Sequence, residues 1–495
     1  MSAYPASMKR ILLGIGLVAA LAGHADAFEL SLEDDRLSVR ADRTPLRALL
    51  QRFADQGVRV QLDPSIDVLV TGSCERESMD VALDALLQPF AYVLTWETVP
   101  GPVSELPRLA EIQVFQPGAK NRVRPLAPET HRLNLARGPL PDSPLFVADE
   151  ILVQVRSGTR PDEFRQLLRQ LGATVVASIP ELGIYQLRLA PGVNIPDLVE
   201  QLNRNPLLER AEPNYADRLP RQPREDGEAA ARAQAPALGE SKMPPLAILD
   251  SGLLAGVGLD GVVVGTYDAL FPDNAMADPQ GHGTQMALVA AGAIPPVGAG
   301  APGEGVPLVA VRAFDEEGAT SNFALMRAIR YSLEQGARVI NLSWGTATRS
   351  DFIAEAVAYA QSRGAIVVAA AGNEPTGRAI YPAAYPGVVA VSALNADSSP
   401  WSRSNYGDFV TVSAPGRASF PIGHEGPPGA YAGTSIASAH VARELALYFA
   451  RNPKATREQA LRSLRDAVTD AGAKGRDPVY GHGALDAAAQ SRLRN

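Results

Sequence analysis

The stretch Leu246-Ala247-Ile248-Leu249-Asp250-Ser251-Gly252 is a short apolar run that ends on a carboxylate and a glycine. Such a run has no polar face, so a strand here is buried on both sides, the condition of a parallel sheet covered by helices. The pattern recurs downstream. Apolar runs at 307–313, 338–342, 366–370 and 388–391 alternate with helical periodicity at 284–292, 323–335, 351–362 and 435–450. This alternation predicts an α/β domain over 245–490, built on a doubly wound, mostly parallel sheet. Ligands of such sheets bind beyond the carboxyl ends of the strands, which is where Asp250 falls.

Three further polar signals sit at comparable places. Gly281-His282-Gly283-Thr284 opens a helix, Ala370-Ala371-Gly372-Asn373 follows a fully apolar strand, and Gly433-Thr434-Ser435 leads into the small-residue run Ile436-Ala437-Ser438-Ala439. At a helix start, Ser435 has unpaired amides around its Oγ that favour developing negative charge. Glycines beside His282 leave its ring room for a carboxylate on one edge and a hydroxyl on the other. Each signal alone also fits a structural role: a turn aspartate, a helix-start histidine, a turn asparagine, a serine N-cap. Their joint occurrence at strand ends and helix starts, in the order Asp, His, Asn, Ser, does not.

On these motifs the region 245–490 resembles the subtilisin-like serine peptidases, including its ending Tyr480-Gly481-His482-Gly483-Ala484-Leu485-Asp486-Ala487. The resemblance implies Ser435 as nucleophile, His282 as general base and acid, Asp250 as its orienter and Asn373 as oxyanion donor. It also implies that Ser343-Trp344-Gly345 offers backbone to a substrate strand. Ala370-Ala371-Gly372 is then the opposite wall of the pocket for the residue before the scissile bond. Small, uncharged walls predict a deep pocket for apolar side chains. The chain departs from the family at Trp344, which stands in place of a smaller aliphatic, at Gln285 for histidine, at Ile436 for methionine and at Ala439 for proline. His440 lies about 140° around the helix from Ser435; with His424 and His482 it is expected to be structural.

Upstream, 218–244 is proline-rich, charged and aperiodic, an exposed and cleavable linker by composition. Residues 149–217 read β-α-β-β-α-β and end in Ala211-Glu212-Pro213-Asn214-Tyr215. Placed directly before the α/β domain of 245–490, this segment resembles the propeptide of subtilisin-like proteases. That resemblance implies an inhibitor whose last strand lies along Ser343-Trp344-Gly345 as a substrate does. Residues 118–148 read as a proline-rich linker. In 28–117 two units echo each other: Leu46, Leu49, Leu50 and Phe53 before 58–62, then Leu83, Leu86, Leu87 and Phe90 before 92–96. With Leu37-Ser38-Val39 ahead of them, they resemble the short N-terminal module of secretins and TonB-dependent receptors, which implies binding to an envelope protein.

Met8-Lys9-Arg10, the apolar run 11–23 and Ala25-Asp26-Ala27 predict a signal peptide over 1–27, and no later stretch is apolar enough for a membrane span. Across 495 residues, 46 Lys and Arg against 54 Asp and Glu give a net charge of −8, which argues against nucleic acid as a partner. The single cysteine, Cys74, cannot form an internal disulfide and reads as a small buried hydrophobe. Expected is a periplasmic or secreted serine endopeptidase that acts on polypeptides, processes itself and is held by its own propeptide. No cofactor is required and no metal site is read, although Asp273 and Asp278 are compatible with calcium. A second reading is an envelope binding or regulatory protein that uses the peptidase-like domain as a scaffold.

Overall fold

The structure, a computed structural model, describes residues 28–33, 36–55, 58–101, 105–126, 132–138, 140, 143–220, 222–225, 232–238, 243–272, 274–301, 303–424 and 426–495. The expected signal peptide, Asp273 and much of the 218–244 linker lie outside them. The chain divides into two units, 1–94 with 111–127, and 95–110 with 128–495.

In the first unit the two apolar stripes foreseen in the sequence are helices, Leu46–Asp55 and Met79–Leu87. Leu46, Leu49, Leu50 and Phe53 are at most 1% exposed. Within the linker expected over 118–148, the strand Arg124–Leu126 pairs antiparallel with Arg59–Leu62, and Leu135–Arg137 pairs antiparallel with Leu145–Val155. Cys74 is only half-buried, with Sγ 3.5 Å from Leu37 O.

In the second unit seven parallel strands form one sheet in the order 263–268, 308–312, 246–250, 339–342, 366–370, 389–394, 412–415. Period-two alternation sorts its side chains into two cores. Leu246, Ile248, Leu308 and Val368 pack with the helices His282–Ala291 and Thr434–Arg451. Ala247, Leu249, Val309 and Val367 pack on the other face with Asn322–Glu334 and Asp351–Ser362. The two edge strands, Val263–Asp268 and Val412–Pro415, were not foreseen; the first alternates exposed and half-buried residues in place of an apolar run. Chain order reverses at Leu246–Asp250, whose neighbours are 308–312 on one side and 339–342 on the other, so a crevice opens beyond its carboxyl end.

The β-α-β-β-α-β reading of 149–217 also holds. Strand Leu145–Val155 is central, antiparallel to Ile184–Arg188 and to Leu208–Arg218, with Thr174–Ile179 outside. Strand Leu208–Arg218 then pairs with Ala319–Ser321, registering Ala216 on Ser321 and Arg218 on Ala319, so one sheet runs from this segment into the third domain. The bond from Leu219 N to Gly318 O (2.8 Å) continues it. The expected partner was Ser343-Trp344-Gly345. The pairing observed is with Ala319–Ser321, while Thr346, just past the expected segment, exchanges two 2.8 Å backbone bonds with Tyr381.

The motif Glu212-Pro213-Asn214 docks on two helix starts. Glu212 accepts from Ser350 Oγ (2.6 Å) and Asp351 N (2.9 Å), and Asn214 Oδ1 accepts from Phe323 N (3.1 Å). Orphan amides at helix N-termini are thereby satisfied across the interface.

Candidate active site

Glycine places His282. Gly281 sits at φ 76°, and a Cβ on Gly283 would lie 2.4 Å from Gly252 O, so helix His282–Ala291 starts hard against the turn that follows Asp250. His282 Nδ1 is 2.6 Å from Asp250 Oδ1, with both side chains at most 1% exposed. Ser251 N donates to the same oxygen at 2.8 Å.

Asp278 locks this half together. Its Oδ1 accepts from Ser251 Oγ (2.7 Å) and Gly281 N (2.9 Å), and its Oδ2 from Thr284 N (2.7 Å) and Thr284 Oγ1 (2.6 Å). Ser251 Oγ in turn accepts from Gly283 N at 2.8 Å. A carboxylate taken up by these donors acts as a helix cap and turn anchor. Among the described residues no group of acidic, histidine or cysteine side chains is set to hold a metal ion.

The other edge of the ring meets a residue that composition had assigned to an exposed linker. Gln222 is 6% exposed, and its Nε2 lies 3.0 Å from His282 Nε2. An amide nitrogen only donates, so His282 Nε2 accepts and the ring proton sits on Nδ1, facing Asp250. That is the tautomer of a general base. Ala432 N donates to Pro223 O (3.2 Å), and Arg224–Glu225 pairs antiparallel with Tyr431 and Ala430. Gln222 therefore lies buried beside His282, and 223–225 run along Ala430–Ala432 with Arg224 exposed. The stretch contains no apolar period, and its contacts are backbone pairing and one amide, so its composition carries no sign of them.

Ser435 is in the first turn of Thr434–Arg451 and is fully buried. Its Oγ donates to Ser343 O at 2.9 Å, on the wall beyond strand Val339–Leu342. Asn373 Oδ1 accepts from Thr434 N (3.0 Å) and Thr434 Oγ1 (2.9 Å), while Thr434 Oγ1 accepts from Gly372 N (3.1 Å). This fixes the amide with Nδ2 buried and without a partner, 3.4 Å from where Gly433 would carry a Cβ. A buried donor left unpaired costs stability unless something else takes it up. A substrate oxyanion would.

The structure brings Asp250, His282, Asn373, Ser435 and Ser343 to the crevice. Ala370 and Ala371 are buried, and Gly372 closes that wall at φ 106°, with its carbonyl accepting from Asn405 N. Gly345 faces Ile380 across the cleft. The Trp344 ring is 2% exposed and lies edge-on to Phe314 at 6.2 Å, so it belongs to the core behind the wall and leaves the pocket's width to other residues. Gln285 is buried and donates to Ile422 O, and Ile436 and Ala439 are core.

His440 is buried along the same helix as Ser435, and burial pushes its pKa down to about 4. His424, expected to be structural, stacks edge-on to His282 at 4.9 Å, with Nε2 3.4 Å from Pro220 O. No sequence spacing signals that contact, since 142 positions separate the two residues (424 − 282).

The profile described as "Subtilase family" matches residues 246–483, and one described as "Fervidolysin N-terminal prodomain" matches 140–214. A thermophilic serine proteinase of Bacillus sp. (strain AK1) is 33% identical over 342 residues, which span 66% of this chain and 84% of that protein. The minor extracellular protease Epr of Bacillus subtilis (strain 168) is 34% identical over 256 residues, 50% of this chain and 38% of that protein. Among solved structures, fervidolysin from Fervidobacterium pennivorans, described as a keratinolytic enzyme related to subtilisin, aligns with a TM-score of 0.59. That alignment has 22% identity over 74% of this chain and 64% of the other, a likeness of fold.

Proposed function

The chain belongs to the subtilase family and is a serine endopeptidase made as a zymogen; on that premise we propose that Ser435 is its nucleophile, His282 its general base and acid, Asp250 the orienter of His282 and Asn373 the oxyanion donor. Ser435 Oγ attacks the peptide carbonyl while His282 Nε2 takes its proton, and Asp250 stabilises the imidazolium that forms. Asn373 Nδ2 and Ser435 N hold the oxyanion. His282 then protonates the departing amine, and water hydrolyses the acyl-enzyme by the same relay. The observation that carries this reading is the 2.6 Å Asp250–His282 contact beside an unpartnered Asn373 Nδ2.

In the form described, Ser435 Oγ is turned to Ser343 O and Gln222 occupies His282 Nε2. We read this as latency: 149–217 is the propeptide, 218–244 carries the self-processing cut, and 245–490 is the mature peptidase. Ser343-Trp344-Gly345 and Ala370-Ala371-Gly372 form the walls of its cleft. The paired helices and strands of the first unit support an interaction module for an envelope protein over 28–117, as in the short N-terminal modules of secretins and TonB-dependent receptors. The leader 1–27 supports export to the periplasm or beyond, in keeping with a relative named as extracellular. Among the described residues no helix is long and apolar enough to cross a membrane. Labelling with a serine-reactive fluorophosphonate tests the reading: a catalytic site gives an adduct on Ser435, and a scaffold stays unlabelled.

A further inference from the structure

We propose that Ile380 fills the pocket for the side chain before the scissile bond, so that this enzyme cuts after small residues such as alanine, glycine or serine. The inference rests on the proposed cleft walls, and it reverses the deep pocket that their small residues suggest. Depth is set by what stands between the walls. A Cβ on Gly345 would lie 2.4 Å from Ile380 Cγ2, and one on Gly372 would lie 3.5 Å from Ile380 Cγ1. One aliphatic side chain thus touches both walls. Glycine at 345 makes room for Ile380, not for substrate.

Ile380 is also held in place. Thr346 N donates to Tyr381 O and Tyr381 N to Thr346 O, both at 2.8 Å, and Ala384 N donates to Ile380 O at 2.8 Å. The opposite wall is pinned by Asn405, whose N donates to Gly372 O (2.9 Å) and whose Nδ2 donates to Ala371 O (3.0 Å). Swinging Ile380 aside would break the backbone pairing at Thr346, and its β-branched side chain has few alternative rotamers. A phenylalanine or leucine forced against it would overpack a fixed wall. Ile380 is half-buried, so its remaining face lines the cleft with hydrocarbon and offers no polar partner.

The test uses the processed enzyme and succinylated peptide nitroanilides that differ only in the last residue, Ala, Leu or Phe. Active molecules are counted by fluorophosphonate titration, so loss of folded protein does not enter the ratio. Wild type should favour Ala over Phe in kcat/KM by at least about tenfold, within the range that pocket size supplies. Ile380→Gly should raise the Phe/Ala ratio by about 10–200-fold, with Ile380→Ala between. Wild type that cuts after Phe as readily as after Ala overturns the proposal. So does a ratio that stays put in both variants. Ser435→Ala run alongside separates the two failures: residual cleavage by it would count against the assigned nucleophile, not against the pocket.

Discussion

The two halves of the active centre are finished to different degrees. Asp250 and His282 are joined at 2.6 Å, and Asp278 ties both of their backbones through Ser251, Gly281 and Thr284. On the other side Ser435 Oγ donates to Ser343 O, and Asn373 Nδ2 is unpartnered. Groups that must keep one geometry throughout the reaction are locked by hydrogen bonds in the resting protein. Groups that meet charge only in the transition state are fixed at the far end and left open at the reacting end. Asn373 illustrates this best, since Thr434 saturates its oxygen and leaves its nitrogen for the substrate. Gln222 Nε2 lies 3.0 Å from His282 Nε2, the ring nitrogen that the proposed reaction gives to the serine.

Removing the open-ended donor should have a large effect. Asn373→Ala should lower kcat by about 10²–10³-fold with little change in KM, the loss known for the corresponding donor in subtilisin. A raised KM with unchanged kcat would place Asn373 in ground-state binding and erase the contrast between the halves.

A smaller effect concerns the propeptide strand Leu208–Arg218, which pairs with Ala319–Ser321. Burial raises the Asp217 carboxyl from 3.8 to about 6, against a hydrogen bond from Thr346, and burial also raises Glu212, against its bonds to Ser350 and Asp351. A carboxyl raised in the complex binds its proton more tightly there than in the free segment. The complex is therefore favoured below the free value, and the advantage is lost as pH rises through about 6. Inhibition of the mature domain by added 149–217 should weaken by about tenfold between these limits, after allowance for solvent screening at a partly exposed group. Asp217→Asn should flatten the profile. A constant inhibition constant across that range in the unmodified segment would remove the carboxyl from the account.

The smallest effect is expected at the plug. Gln222→Ala removes one hydrogen bond from His282, worth about 1 kcal/mol, and should speed self-processing of the purified precursor by roughly fivefold. An unchanged rate would mean that the serine half, not the base, holds the zymogen back.

Much of this was legible in the chain because it is written in local terms. Apolar runs without a polar face gave the parallel sheet at 246–250 and 366–370. Glycines and small residues around His282 and Ser435 marked close backbone approach. The unforeseen features depend on contacts between distant residues. Edge strand Val263–Asp268 has one face half exposed, so it lacks the apolar signature of the inner strands. Ile380 lies 35 positions beyond Gly345 (380 − 345), and nothing at either position signals that the one fills the space the other leaves. The propeptide strand follows Ala319–Ser321, whose composition gives no hint of a strand until another strand lies beside it.

The central claim is that Ser435 cuts this chain from its own propeptide, and one variant addresses it. Ser435→Ala removes a hydroxyl from a site lined by small residues, so the fold should persist without the nucleophile. The variant would be expressed alone in a host lacking its major envelope proteases, and the intact mass and N-terminus of the product determined. The account predicts a full-length precursor, with 149–217 still joined to 245–490, where wild type yields the separated peptidase. Normal processing of Ser435→Ala under those conditions would contradict it and assign maturation to another protease.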